Sequence, residues 1–256
     1  MKLELSVIIP CYGRPEGTRA ALTSLAACPD EFEVIVVDDA SPVSLAPIVR
    51  EFEQRLDVRY VRQDANQGPA AARNRGVAVA KHDIIAFTDN DCVVEPLWPR
   101  ELGHYLRDAP RKVAAVGGRV LAQGDDVISR YFTWHKILDP YLLDGRYLYV
   151  VTANCAFRRE ALAAVGGFDE RIRQAGGEDP GVCFKLLEAG WSLHYRKEAL
   201  VWHDYRMGLK EFAKTFYRYG KGCRLQTDLH AQELSRSAGH GAAVSFGGMD
   251  ASGSST

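Results

Sequence analysis

The 256-residue chain has almost no net charge: 32 lysines and arginines stand against 33 aspartates and glutamates. It therefore lacks a global field with which to attract nucleic acid or a strongly acidic partner. Any charged function must be local. Its six cysteines, Cys11, Cys28, Cys92, Cys155, Cys183 and Cys223, form no C-x-x-C pair, which argues against both a zinc site and a disulfide framework. Reduced thiols in a cytoplasm fit best. No run approaches the roughly 18 apolar residues of a membrane span, and the short apolar stretch near the N-terminus is broken by Pro10. Neither export nor a span is expected. Internal repeats are missing too. What is left, at 46% hydrophobic and 25% charged residues, is the composition of a soluble globular protein with one substantial core and room for a small second lobe.

The first half alternates two patterns. LSVIIP, EFEVIVVDD, VRYVRQD and DIIAFTD are short, β-branched and apolar, and each ends in or runs into polar residues, as strands do. Between them RPEGTRAALTSLAA, SLAPIVREFEQRL and GPAAARNRGVAVA have helical length and composition, with Pro15 and Pro69 placed where a helix can start. This β-α-β-α order predicts an α/β fold with a mostly parallel sheet flanked by helices. Ligands bind such sheets beyond the carboxyl ends of the strands, so Tyr12, Asp38, Asp39, Asp89 and Asp91 should share one rim. After residue 112 the alternation loosens. VAAVGGRVL and TANCAFRR read as strands, residues 124 to 150 as an irregular aromatic segment suited to a lid or acceptor wall, and EDPGVCFKLLEAGW as a helix closed by Gly190. The expected organisation is one half over 1–112, a smaller lobe over 113–224, and a disordered tail over 225–256, Ser/Gly/Ala-rich from Ser235.

Three constellations are candidates for chemistry. In AFTDNDCVVEP a strand-like run stops at Asp89, Asn90 and Asp91; two carboxylates at i and i+2 repel unless a cation, a donor or water separates them, and hard divalent cations favour such oxygens. An exposed acidic loop would carry the same letters. In NQGPAAARNRG an Asn-x-Gly turn leads into a helix whose first turns hold Arg73 and Arg75, a setting for an anion or merely a solvated helix face. Glu178 and Asp179 in GGEDPG precede a helix and either serve chemistry or complement its dipole. Asp38 and Asp39 read equally well as a strand-end turn.

Taken in order, SVIIPCYGRPE, EVIVVDDAS, NQGPAAARNRG, AFTDNDCVVEP, TANCAFRREALAAVGGFDE, GGEDPGVCFKLLEAGW and EALVWHDYR resemble the family-2 glycosyltransferases of the GT-A, Rossmann-like fold, over roughly residues 3 to 222. The resemblance implies inverting transfer of a sugar from a nucleoside-diphosphate sugar to an acceptor hydroxyl, with Mn2+ or Mg2+, and makes 1–112 the nucleotide-sugar-binding half and 113–224 the acceptor-binding and catalytic half. It implies that Pro10, Tyr12 and Arg14 lie in the loop lining the nucleotide base. Asp39 matches the carboxylate that holds a uracil imide, Arg73 the basic residue beside the nucleotide, and Asp89 with Asn90 the ribose-side start of the D-x-D. Asp91 matches the metal ligand and His203 a histidine that completes the metal shell. Asp179 matches the base, with Glu178 as its neighbour. Gly13, Ala40 and Cys92 depart from the usual pattern, and no Q-x-x-R-W motif of processive members is found, which favours transfer of one sugar.

Three rivals are weighed. A sugar-nucleotide pyrophosphorylase would carry a glycine-rich basic loop after its first strand, where this chain has PCYGRPEG. An aspartyl phosphatase would place its D-x-D after the first strand, not the fourth. A catalytically inactive nucleotide-sugar-binding protein would have lost carboxylates that are present here. The acceptor stays open, lipid-linked or glycan. In RMGLKEFAKTFYRYGKGCR, Arg206, Lys210, Lys214, Arg218, Lys221 and Arg224 recur every three or four residues, forming one basic helix face. That face is either solvated or a peripheral contact with the inner face of a membrane.

Overall fold

The computed structural model describes residues 1–205 and 208–230. The expected strands of the first half form β1 (Lys2–Cys11), β2 (Glu31–Asp38), β3 (Asp57–Arg62) and β4 (Ile84–Thr88). They pair in parallel around β1, because α1 (Pro15–Ala26), α2 (Ala46–Arg50) and α3 (Pro69–Val79) return the chain between them. Alternation along β1 feeds two cores. Val7 and Ile9 pack with Leu22, Val34, Val36 and Trp98 on one face, and Ile8 packs with Ile35, Val37, Phe87 and Phe157 on the other. Burial on both faces is why these strands read as nearly continuous apolar runs.

The second half completes the same sheet. Its elements are β5 (Cys92–Val94), α4 (Trp98–Asp108), β6 (Val113–Ala122), α5 (Val127–His135), β7 (Tyr141–Leu143), β8 (Arg146–Tyr149), β9 (Asn154–Arg158), α6 (Arg159–Ala164), α7 (Glu178–Glu188), β10 (Ser192–His203) and α8 (Leu209–Leu229). The order across the sheet is β3-β2-β1-β4-β9-β6-β10-β5, with β7 and β8 as a separate hairpin. β9 runs antiparallel to both β4 and β6, and β5 antiparallel to β10, so the sheet is mixed but mostly parallel. Asn154 helps lock the insertion of β9. Its Oδ1 accepts from Trp98 Nε1 at 2.7 Å, while its Nδ2 donates to the carbonyls of Arg119 and Ala199.

Some expectations need correction. The second helix is only five residues long before the chain breaks into turns. Residues 124–150 are not irregular throughout: Asp126 caps α5 by accepting from the N–H groups of Ile128 and Ser129. Asp144 and Gly145, with φ of 48° and 76°, turn the β7–β8 hairpin as an Asp-Gly pair does. The tail boundary at 224 moves outward because α8 continues to Leu229. Arg206 and residues 231–256 of the expected tail lie outside the described residues. Among the described residues, no helix is long and apolar enough to cross a membrane.

Ala40 sits at φ 56°, where a Cβ costs roughly 1–2 kcal/mol, against roughly 0.5–1 kcal/mol of extra chain entropy lost by a glycine. Ala40→Gly is therefore expected to stabilise the fold by about 0.5–1 kcal/mol. A higher urea midpoint at unchanged slope would show it.

Candidate active site

A cavity of about 730 Å³ opens beyond the carboxyl ends of the parallel strands, lined among others by Pro10, Tyr12, Arg14, Asp39, Arg73 and the Asp89–Asp91 triplet. The adjacent aspartates after β2 divide their work. Asp38 is buried and accepts from the N–H groups of Ser41 and Leu45, the Tyr60 hydroxyl and Arg62, which is the strand-end turn anticipated from its position. Asp39 reaches the cavity. Its Oδ1 accepts from Gln63 Nε2 and the Gln67 N–H, and its Oδ2 from the Gly68 N–H at 2.8 Å. That last contact requires glycine: Gly68 has φ 93°, and a Cβ there would lie 2.4 Å from the Arg173 carbonyl oxygen.

The loop after β1 is fixed from below. Asn90 Nδ2 donates to the Gly13 carbonyl at 3.1 Å and to Thr18 Oγ1 at 3.2 Å, so Asn90 supports this loop while also lining the cavity. Tyr12 stands on the lip, 55% exposed. Arg75 is exposed and takes no part in lining the cavity; of the two arginines in that motif only Arg73 joins.

Sheet register builds a group that could hold a cation. His203 pairs with Cys92 across the antiparallel β10–β5 ladder, and the Asp204 N–H donates to the Asp91 carbonyl at 2.8 Å. His203 Nε2 thereby stands 3.5 Å from Asp91 Oδ1. One ligand atom each from Asp91, Cys92 and His203 lie within 4.8 Å of one another. Burial, reinforced by Asp91 and Asp89, pushes the Cys92 thiol well above its ordinary range, which keeps it protonated and a poor ligand. The remaining carboxylate and imidazole suit Mn2+ or Mg2+ better than a thiolate-seeking metal. A ring stack orients the imidazole: His203 lies 4.2 Å from Tyr205, which lies 4.2 Å from Phe132. Arg14 NH1 donates to Asp91 Oδ2 at 2.7 Å, so this arginine reaches the last carboxylate of the D-x-D.

Arg73 lines the cavity its motif pointed to, and it also lies inside a cluster of carboxylates. It is 3% exposed, and it donates to Asp89 Oδ1 at 3.0 Å and Glu178 Oε1 at 3.1 Å, with Asp179 Oδ1 at 3.9 Å. It touches the cavity, yet its charge is committed to three carboxylates. Burial opposes that charge, but Asp89, Asp179 and Glu178 more than restore it. Burial also raises the Asp89 carboxyl, with Arg73 pulling the other way. Glu178 is buried with both oxygens engaged, Oε1 by Arg73 and Oε2 by the Gly176 N–H at 2.6 Å.

Asp179 is the accessible member of that pair. It begins α7 beside Glu178, after Gly177 in a left-handed conformation, and accepts from the Thr152 N–H at 3.1 Å and Thr152 Oγ1 at 2.7 Å. Burial and then the neighbouring Glu178 raise its carboxyl to about 7, against the pull of Arg73. A second cavity of about 600 Å³ lies on this side, walled by Tyr131, Tyr141, Tyr147, Tyr149, Tyr195 and Phe216 and containing Asp179 and Glu178. Arg73 and Asp89 line both cavities. Thr152, which orients Asp179, was visible only as a letter of the TANC block. Arg173, Lys214 and Arg218 line the first cavity without having been read as belonging to it, because nothing in their local sequence marks a fold-back onto the rim.

Two cavities meet at the D-x-D on a mixed sheet of this order, and comparison with known proteins gives the family. The chain belongs to glycosyl transferase family 2, whose profile matches residues 6–166. It is 36% identical over 227 residues to the pre-mycofactocin glycosyltransferase of Mycobacterium tuberculosis, across 84% of this chain and 46% of that protein. It thus spans about half the length of this curated relative. Solved structures share the fold. The mannosyltransferase PcManGT of Pyrobaculum calidifontis in complex with GDP-Man and Mn2+ superposes with a TM-score of 0.66 at 19% identity, covering 91% of this chain and 65% of that one. Staphylococcus aureus TarS in complex with UDP-GlcNAc gives 0.61 at 20% identity, covering 81% and 60%. These neighbours are GT-A glycosyltransferases, and the mixed, mostly parallel sheet is of their kind.

Proposed function

We propose that the protein is an inverting glycosyltransferase that moves one sugar from a nucleoside-diphosphate sugar, with uridine the favoured base, to an acceptor hydroxyl, using Mn2+ or Mg2+. The observation that carries this reading is Asp179: a carboxylate raised to about 7, at the aromatic cavity and within one arginine of the nucleotide-side cavity. A base is most effective when its pKa lies near the working pH. Asp39, held by two backbone N–H groups and Gln63, keeps lone-pair capacity for an imide N–H, which uracil and thymine both offer. Asp91 and His203 would hold the cation, which when bound neutralises charge developing on the departing diphosphate. Asp179 takes the proton from the acceptor hydroxyl as it attacks the anomeric carbon, and the C–O bond to the diphosphate breaks on the opposite face. Glu178 is the more deeply buried of the two, 3% exposed and ion-paired with Arg73, so it positions its neighbour and raises it. The relative's name and the neighbours' ligands support a glycosyl donor. The acceptor enters the aromatic-walled cavity, where tyrosine faces suit a glycan ring or an apolar body carrying the hydroxyl.

Asp91→Asn tests the reading. The substitution removes a charge and no core contact, so thermal unfolding of the free protein should change little. Manganese-dependent stabilisation by uridine diphosphate, which grows as ln(1 + [L]/Kd), should disappear. Unchanged manganese dependence in that variant would remove Asp91 from the metal site. Failure of every nucleoside diphosphate to stabilise the unmodified protein would overturn the donor reading.

A further inference from the structure

We infer that Arg173 and Arg218 form a second, metal-independent grip on the diphosphate of the donor, and that α8 is the element that closes the nucleotide cavity. The inference rests on the donor reading above.

The seat of α8 is built from glycine. A Cβ on Gly222 would lie 2.0 Å from the Gly176 carbonyl oxygen, and one on Gly177 would lie 2.8 Å from Gly222 Cα. Helix and loop backbones therefore touch immediately before Glu178, at a separation no larger residue allows. From that seat one helix reaches both cavities. Phe216, Tyr219 and Gly220 face the aromatic one, while Lys214, Tyr217 and Arg218 face the nucleotide one. The same loop delivers Arg173, Gln174 and Ala175 to the nucleotide cavity, with the Arg173 backbone against Gly68.

Two arginines that line this cavity stand outside its ion pairs, and their free donors point to an anion. Asp39 is satisfied by N–H donors, Asp89 is paired with Arg73, and Asp91 with Arg14. Lys214 is held by Glu211 at 2.7 Å. Arg173 and Arg218 form no ion pair among the described residues, although Arg218 helps hold the Glu211 carboxyl low from a longer distance. Arg218 donates from NH2 to Thr215 Oγ1 at 3.0 Å, and its Nε is buried with no partner. An unpaired buried N–H is costly, and a guanidinium beside a cavity is the donor set that phosphate oxygens match. A diphosphate entering opposite Asp91 would meet both arginines. The basic face of α8 is thus turned in part toward the donor, which gives Lys214 and Arg218 a use other than a membrane surface.

The test compares uridine diphosphate with uncharged uridine by calorimetry, with manganese and separately with chelator. A charge-assisted hydrogen bond is worth about 10- to 100-fold in affinity. Arg173→Gln/Arg218→Gln is expected to weaken the diphosphate by at least about 10-fold in both conditions while leaving uridine unchanged and the unliganded melting temperature near that of the unmodified protein. Arg173→Gln alone, at an exposed loop position, gives a smaller loss of the same kind and serves if the double variant does not fold. An unchanged ratio of diphosphate to uridine affinity overturns the inference. So does loss of binding to anionic vesicles on Lys210→Gln/Lys214→Gln/Arg218→Gln with that ratio intact, which would return the face to a lipid surface. If the unmodified protein shows no preference for the diphosphate even with manganese, the donor reading itself falls, and the grip with it.

Discussion

An Asp179→Asn variant is expected to bind the nucleoside-diphosphate donor with affinity within a few-fold of the unmodified protein and to lose transfer by about 10²- to 10⁴-fold, the range general-base catalysis supplies. The amide is nearly isosteric and can still face Thr152, so the site keeps its shape, but it has no lone pair basic enough to take the acceptor's proton. A fall in kcat with little change in donor affinity is the signature of an interaction made in the transition state. The pH profile gives an independent reading. With its carboxyl raised to about 7, Asp179 is half-protonated near neutrality, so kcat/KM of the unmodified protein should rise through pH 6–7 and level off above. The linkage sign runs opposite to activity. A carboxyl raised in the folded state binds its proton more tightly there than in the unfolded chain, so its presence disfavours the fold at pH 8 and this cost is relieved as pH falls through 7. Asp179→Asn should therefore gain stability relative to the unmodified protein at pH 8 and lose that advantage toward pH 4–5. Near-normal turnover by the variant would move the base elsewhere.

What the sequence made legible follows from how far each signal acts. The parallel strands could be read because both their faces are buried and the chain between them is helical, both properties of contiguous residues. The carboxylates at the rim followed from the same argument, since polar residues ending buried strands have only the rim to occupy. Contacts set by sheet order were not legible. The approach of His203 to Asp91 depends on β10 pairing with β5 across a sheet edge, and the motif suggested the histidine but not the pairing. The partners of Arg73 were hidden for the same reason. Its motif indicated an anion, and within the protein it meets Asp89, 16 residues on, and Glu178, 105 residues on, neither of which its local sequence marks. Asp38 and Asp39 show the limit at its narrowest, because alternate residues at a strand end face opposite sides and only the three-dimensional surroundings tell which side holds a ligand.

Replacing Arg73 should have the largest effect on the fold. Arg73→Met keeps the length and apolar stem of the side chain but leaves Asp89, Glu178 and Asp179 without their shared counter-ion. Removing one partner of a buried ion pair costs roughly 3–5 kcal/mol because the other charge is left uncompensated. Here Glu178 is buried and Asp89 and Asp179 are largely enclosed, so the cost belongs near that range. Its pH dependence follows from the same carboxylates. Arg73 is the term that pulls Asp89 and Asp179 down against burial, so without it both should titrate higher still. Folded-state pKa values raised further above the unfolded ones mean a fold that is weakest at alkaline pH and recovers as protons neutralise the cluster. Urea unfolding of Arg73→Met should show its deficit largest near pH 8 and shrinking steadily toward pH 5. A deficit that is small, or that does not change with pH, would mean that the carboxylates do not depend on Arg73 for their charge. The link it makes between the D-x-D and the general base would then be geometric only. Arg73→Lys separates these two roles, since an ammonium restores the charge but cannot reach Asp89 and Glu178 together through a planar fork. Recovery of stability without recovery of turnover in that variant would assign to the guanidinium the work of holding Asp179 at its distance from the D-x-D.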